Sequence, residues 1–295
     1  MIARRYGCAA VRLDATRILV LGGFDGTQAL ATTEARRQMP FQRKQVLDLA
    51  TMRFEEGPLM RSKRFACSAV ALDSRVLVVG GSDGVVNLAT TEVLDLASMR
   101  FELAAEMDSP RCACATFVVG ACVFIVGGSD GAGGCLDSTL VSDVAELQFK
   151  AGPKMTQQRT KCSAVQLDER RALVVGGRDP GLQPLASTEI FDLASMVFSE
   201  GPPLRCARYD AAVAVFAGKC LVLGGYGGQT GTSAMYRPLN TTDLLTTDAE
   251  HVAPPSLPVQ SDDAETESDS DDEGTLASAF PSGLRPRDVF GTSAS

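Results

Sequence analysis

RFACSAVALDSRVLVVGGSDG, residues 64–84, continued by TTEVLDLASMRF at 90–101, is the stretch from which the rest of the chain can be read. Its apolar run Leu77-Val78-Val79 is too short for a helix of period 3.6 and ends at Gly80-Gly81, as a strand buried on both faces does. The residues before it, Cys67-Ser68-Ala69-Val70, make a second strand of small side chains. After the glycines, Ser82-Asp83-Gly84 is turn chemistry, because Gly reaches positive φ freely and Asp bonds its own backbone. TEVLDL and MRF, joined by a tight Ala-Ser connection, supply two more strands.

This unit repeats. Paired glycines stand at Gly22-Gly23, Gly80-Gly81, Gly127-Gly128, Gly176-Gly177 and Gly224-Gly225, at intervals of 58, 47, 49 and 48 residues. An arginine precedes each pair by 16 or 17 residues, at Arg5, Arg64, Arg111, Arg159 and Arg208. The apolar runs recur as ILVL at 18–21, FIV at 124–126, LVV at 173–175 and LVL at 221–223, each behind a small-residue strand. DLATMRF at 48–54, DLASMRF at 95–101 and DLASMVF at 192–198 repeat the end of the unit, with DVAELQF at 143–149 a weaker copy. Four antiparallel strands in about 50 residues describe a propeller blade, and small side chains suit the strand nearest the crowded axis.

Taken together, the arginine, the apolar strand, Gly-Gly with Asp-Gly behind it, the Thr-Glu strand, the closing aromatic and a Met four residues before the next arginine resemble kelch repeats. The resemblance covers residues 1–245. It departs in having Phe54, Phe101, Phe149 and Phe198 where that family usually has Trp, a residue this chain lacks. Phe keeps the buried ring and gives up the indole donor. The expected fold class is therefore all-β: a kelch-type propeller of about five four-stranded blades, the last incomplete, followed by a disordered acidic tail.

The units fall at about 4–59, 60–106, 107–154, 155–203 and 204–245. In the first, ATTE at 31–34 and VLDLATMRF at 46–54 match the second unit, with residues 35–45 added inside what should be a strand. That insert, carrying Arg36, Arg37, Arg43 and Lys44, reads either as a basic finger or as a tolerated loop. Met1, four residues before Arg5, reads either as the end of a preceding blade or simply as the start of the array. The third unit has Leu140 where Glu34, Glu92 and Glu189 stand. In the fifth, Ser233 to Leu239 reads as a third strand confined to an edge or bulge by Pro238, and no aromatic answers to Phe101. Ring closure is accordingly the weakest structural point, since an open propeller leaves a strand edge and an apolar face uncovered.

Charge separates the two parts of the chain. Residues 246–295 hold 11 of the 36 acidic and 2 of the 28 basic side chains, which leaves 25 acidic and 26 basic in residues 1–245. No clustered positive face indicates nucleic acid. The uncharged run from Cys112 up to Asp130 splits at Gly120 into two strands in repeat register, so it is not a membrane span. The tail, rich in Asp, Glu, Ser, Pro and Thr, cannot bury enough apolar surface to offset chain ordering. Its Thr266, Ser268 and Ser270 each have an acid three residues later, which reads either as acidophilic phosphorylation sites or as part of a solubilising tail. Nine cysteines, four of them at one repeated position (Cys8, Cys67, Cys114, Cys162), suit buried thiols in a reducing compartment and a cytoplasmic location, with the nucleus left open.

Catalysis finds little support. The single histidine, His251, lies in the tail, so no Ser-His-Asp or Cys-His arrangement can form on the repeats. Copper oxidases of the kelch family need histidine ligands that these repeats do not have. Asp25, Asp83, Asp130 and Asp179 follow Gly-Gly and read as turn caps, not as a cation site. No metal and no cofactor is expected. By repeat symmetry Arg5, Arg64, Arg111, Arg159 and Arg208 should ring one mouth of the channel, where guanidinium groups without matched carboxylates favour an acidic or phosphorylated peptide. In similar kelch adaptors arginines at this place contribute to pockets for acidic peptides, whereas in others they hold loops together. The expected function is a non-enzymatic protein-interaction module. The alternatives are the substrate-recognition subunit of a ubiquitin ligase and a kelch-fold enzyme of lyase or epimerase type.

Overall fold

The computed structural model describes residues 5–30, 44–48, 50–51, 53–216, 218–230 and 233–246. Residues 35–43 of the insert, Met1, and the tail with Thr266, Ser268 and Ser270 lie outside the described residues. Among those described there are 21 strands and no helix. The second unit shows the plan: β5 (Ser68–Leu72), β6 (Arg75–Val79), β7 (Thr91–Asp95) and β8 (Arg100–Leu103) form one antiparallel sheet in chain order. The first unit builds the same sheet from β1 (Ala9–Arg12), β2 (Arg17–Leu21), β3 (Lys44–Asp48) and β4 (Arg53–Gly57). The third uses β9 (Ala115–Val119), β10 (Cys122–Val126), β11 (Thr139–Asp143) and the two-residue β12 (Lys150–Ala151). The fourth uses β13 (Ser163–Gln166), β14 (Arg171–Val175), β15 (Thr188–Asp192) and β16 (Val197–Glu200). Four complete blades are thus arranged as a β-propeller, followed by a fifth, three-stranded sheet of β17 (Ala212–Phe216), β18 (Lys219–Leu223) and β21 (Thr242–Thr246).

Each recurrent residue has a local reason to recur. In DLASM the Asp95 carboxylate accepts the Ser98 N–H and hydroxyl at 2.7 Å each, closing the turn and letting Met99 take φ 54°. Asp192, Ser195 and Met196 repeat this, with φ 55° at the methionine. The Asp after Gly-Gly is a cap as well: Asp83 Oδ1 accepts the N–H groups of Val85 and Val86 at 2.8 Å. Asp25, Asp130 and Asp179 do the same in their own loops.

The glycine pair answers to the neighbouring blade. Gly80 has φ 55°, and a Cβ there would lie 2.1 Å from the carbonyl oxygen of Arg111, which begins the next blade. The same clash stands at Gly22 against Arg64 at 2.1 Å, and at Gly127 against Arg159 and Gly176 against Arg208 at 2.4 Å. The second glycine of each pair donates its N–H to that carbonyl, from Gly23, Gly81, Gly128 and Gly177, at 2.8–2.9 Å. Blade therefore meets blade backbone to backbone, which no larger residue permits.

Apolar residues fill the four junctions between consecutive blades. Leu19 and Leu21 meet Val76, Val78 and Leu94 across the first; Leu77 and Val79 meet Val123 and Ile125 across the second. Phe117, Phe124, Phe191 and Phe198 build the third, with ring centroids 4.5–5.7 Å apart. Leu173 and Val175 meet Cys220 and Val222 across the fourth. Fully burying one such side chain stabilises the fold by about 2–3 kcal/mol. Phe101 and Phe198, the closing aromatics of their units, are buried opposite Leu94 and Phe191 on the adjacent strand.

Two expectations need correction. In the first unit the described strand, β3, begins at Lys44 within the insert, and Gln45 pairs with Val20 as Glu92 pairs with Val78. Eleven residues cannot be bulged into a five-residue ladder, so the pairing takes up the residues at the far end of the insert instead. In the fifth unit, Ser233–Pro238 is not the third strand of the blade but half of a separate hairpin with β19 (Tyr226–Thr230), here β20. The third strand is β21, where Asp243 pairs with Val222 in the Glu92 register.

Candidate binding face

The repeated arginine is the natural starting point. In blade 2, Arg64 Nη1 donates to the carbonyls of Gly80 and Thr90 at 2.8 Å, and Nη2 to Thr90 Oγ1 at 2.8 Å. Its Nε and Nη2 both reach Glu92 Oε1 at 3.1 Å. Glu92 in turn accepts the backbone N–H groups of Arg61 at 2.6 Å and Ser62 at 2.9 Å, tying down the loop that leads into the blade. Arg159 repeats the arrangement with Gly176, Ser187 and Glu189, and Glu189 with the N–H groups of Thr156 and Gln157. Arg208 repeats it with Gly224 and Thr241, and with the shorter Asp243 at 2.7 Å.

Blade 3 is the exception. Arg111 keeps the carbonyls of Gly127 and Ser138 and the Ser138 hydroxyl, but Leu140 replaces the acid and Arg111 Nε is buried without a partner. Burial consequently holds its guanidinium below the ordinary arginine value. Arg5, half-buried, donates to the Gly22 carbonyl at 2.9 Å, and burial lowers its value too.

The expectation that these side chains ring an opening is therefore not the geometry found. Arg64, Arg111, Arg159 and Arg208 are at most 3 % exposed. Their donors are directed into their own blades, and their backbone carbonyls join the previous blade to the next. The residues two positions later, Gly7, Ala66, Ala113, Lys161 and Asp210, all stand at φ between 49° and 62° and link one unit to the next. The last four donate their N–H to the carbonyl of the one before, from Ala66 to Gly7 and so on to Asp210, at 2.7–3.0 Å.

Between the arginine and this inner chain stands one further residue per unit, which the sequence reading passed over: Tyr6, Phe65, Cys112, Thr160 and Tyr209. Each bridges to the residue after the glycine pair, Phe24, Ser82, Ser129, Arg178 and Tyr226. Aromatic rings gather there. Tyr6 and Phe24 are 5.4 Å apart, Phe24 and Phe65 5.5 Å, and Tyr209 stacks on Tyr226 at 5.6 Å. Arg178 and Lys161 lie over the Tyr209 ring at 4.6 and 5.3 Å, and Lys161 also pairs with Asp210 at 3.3 Å. The loops of this face carry exposed apolar tips, Val85 at 89 % and Val86 and Leu182 beside their capping Asp turns, and Tyr6 is 62 % exposed. The signal was present in the sequence as aromatics next to the arginine and next to Gly-Gly in units one, two and five.

The nine cysteines are free thiols, and burial pushes Cys67 up to about 11 and Cys114 and Cys162 up to about 12. Among the described residues no group of three or more His, Cys, Asp or Glu side chains is placed to hold a metal ion. A depression lined by Asp168, Glu169, Arg170, Arg171 and Asp192 pairs its own charges, Arg171 with Asp168 at 2.7 Å and Arg170 with Asp192 at 3.8 Å.

Residues 63–107, the second unit with its arginine, glycine pair and closing aromatic, match the family model described as Kelch motif. A comparison with curated proteins finds no match.

Proposed function

We propose that this chain is a protein-interaction module that receives its partner on the face carrying Tyr6, Phe24, Phe65, Tyr209, Tyr226, Lys161 and Arg178. The observation that carries this reading is the exposure of apolar tips, Val85 foremost, on loops whose backbones are fixed by Asp caps. Rigid loops with exposed apolar and aromatic side chains bind with little ordering cost. An acidic or phosphorylated peptide remains the chemistry proposed for the partner, now through Lys161 and Arg178 at the rim and not through the repeated arginines, whose donors are engaged inside the blades. Free, buried thiols fit the reducing, cytoplasmic setting proposed for it.

The test is affinity capture with full-length protein and three variants, Val85→Lys, Tyr6→Ala and Arg178→Glu, beside Arg170→Ala at the opposite end as control. Partners held by the wild type and the control should be depleted at least about tenfold by the face variants, the loss expected of a binding hot spot. Undiminished capture by all three face variants would remove the reading.

A further inference from the structure

In blades 2 and 4 the buried arginine meets a glutamate that also accepts two N–H groups of the loop entering the blade, those of Arg61 and Ser62 in one and of Thr156 and Gln157 in the other. Blade 3 has the arginine and the loop but not the acid: Leu140 stands in its place, and Arg111 Nε is buried without a partner. Two residues before Arg111, where Ser62 and Gln157 stand before theirs, is Ser109. Its N–H and its hydroxyl have no hydrogen-bond partner among the described residues. Blade 4 shows what a side chain at this position can reach. Gln157 Oε1 accepts from Arg159 Nη2 at 3.1 Å and from the Ser187 hydroxyl at 2.6 Å. Their counterparts in blade 3, Arg111 Nη2 and Ser138 Oγ, stand together at 2.8 Å, and the shorter Ser109 joins neither.

Ser109 is followed by Pro110, the one Ser-Pro in a chain that has no Thr-Pro. The proline biases Ser109 toward extended backbone, and the serine is partly exposed on the connection between β8 and β9. We propose that Ser109 is a phosphorylation site for a proline-directed serine/threonine kinase, and that its phosphate takes the place of blade 3's missing acid against Arg111 and Ser138. The Ser109 hydroxyl oxygen bonds to the γ-phosphorus of ATP as the bond from that phosphorus to the β-phosphate oxygen breaks. The hydroxyl proton goes to the kinase's catalytic base, and ADP leaves. Phosphoserine carries its terminal oxygens four bonds from Cα, as glutamine does, so they come to where Gln157 Oε1 meets the arginine and the serine hydroxyl in blade 4. A charge of about −1.5 to −2 then faces a guanidinium that no carboxylate binds. Exposed Asp108 also favours the charged guanidinium, but it makes no bond to it. Ser62 holds the same position in blade 2, where a phosphate would meet the Glu92 carboxylate already bonded to Arg64 and would be repelled.

The full chain made with genetically encoded phosphoserine at position 109 tests this against the unmodified chain. Its urea midpoint should rise, with a gain of about tenfold or more in the folding equilibrium, as for a hydrogen bond to a charged group. In Leu140→Glu, which supplies the acid from within the blade, the same phosphoserine should give no gain. A proline-directed kinase with ATP should place phosphate on Ser109 of the folded chain, located by peptide mass, and Ser109→Ala should abolish that incorporation. A midpoint that the phosphate leaves unchanged or lowers overturns the proposal. So does a gain that persists in Leu140→Glu, or a folded chain that the kinase does not modify at Ser109.

Discussion

Glu92 joins three things at once: the Arg64 guanidinium and the N–H groups of Arg61 and Ser62. Both ionic side chains are fully buried, so removing one charge strands the other. Glu92→Gln should cost about 3–5 kcal/mol, read as a lower urea midpoint with an unchanged slope. Blade 3 offers the converse. Leu140→Glu would return an acceptor to Arg111 Nε and should raise stability by about 1.5–3 kcal/mol, the range for a hydrogen bond to a charged group. The thiols give a pH dependence whose sign is fixed by their burial. Cys67, Cys114 and Cys162 ionise near 11, 12 and 12 in the fold against 9.0 ordinarily. The unfolded chain therefore releases protons first, and stability complete below about pH 9 falls as pH rises toward 11–12. The urea midpoint should drop over that window, less steeply in a Cys67→Ala/Cys114→Ala/Cys162→Ala variant. Iodoacetamide at neutral pH should label the exposed Cys206 and spare those three.

At the scale of the element, the contact that matters is between the end of one blade's second strand and the start of the next blade's first. Gly80→Ala would place a methyl 2.1 Å from the Arg111 carbonyl oxygen on a backbone at φ 55°. Steric displacement and backbone strain together should cost about 3 kcal/mol or more. Gly26→Ala, where nothing lies within 4 Å although φ is 105°, should cost less, the strain of φ alone. Comparing their thermal midpoints separates the neighbouring blade's contribution from the turn's. The strands themselves were legible in the chain, because runs ending at Gly-Gly and DLASM turns are local signals. β21 has a local signal too: Leu239-x-Thr241-x-Asp243 repeats Leu88-x-Thr90-x-Glu92, and the hairpin at 226–238 displaces it from the place the repeat spacing predicts. A local pattern cannot by itself distinguish a blade strand from a hairpin inserted ahead of it, since only pairing with β18 separates the two.

For the whole propeller, each of blades 2 to 4 is covered by a neighbour on both faces, and the fifth sheet on one only. In such an array stability is shared through nearest-neighbour interfaces. Native-state hydrogen exchange in dilute solution should therefore find the amides of Val213, Cys220 and Val222 opening at lower free energy than those of Phe124 and Val174. Equal protection across the five sheets would contradict that.

The chain alone determined the unit, its strands and the turns between them, because each rests on residues within about 50 positions and on chemistry that repeats. It also held the arginine and its acid partner, as the Thr-Glu or Thr-Asp that follows the glycine pair in every unit but the third. Only the assembled blades decided where the guanidinium points. Its acceptors lie 16 to 35 residues ahead, and its carbonyl is claimed by the preceding blade, so the side chain is drawn inward while Tyr6, next to Arg5, stays 62 % exposed. Burial is set by what arrives from elsewhere in the fold, and a sequence does not carry that distance.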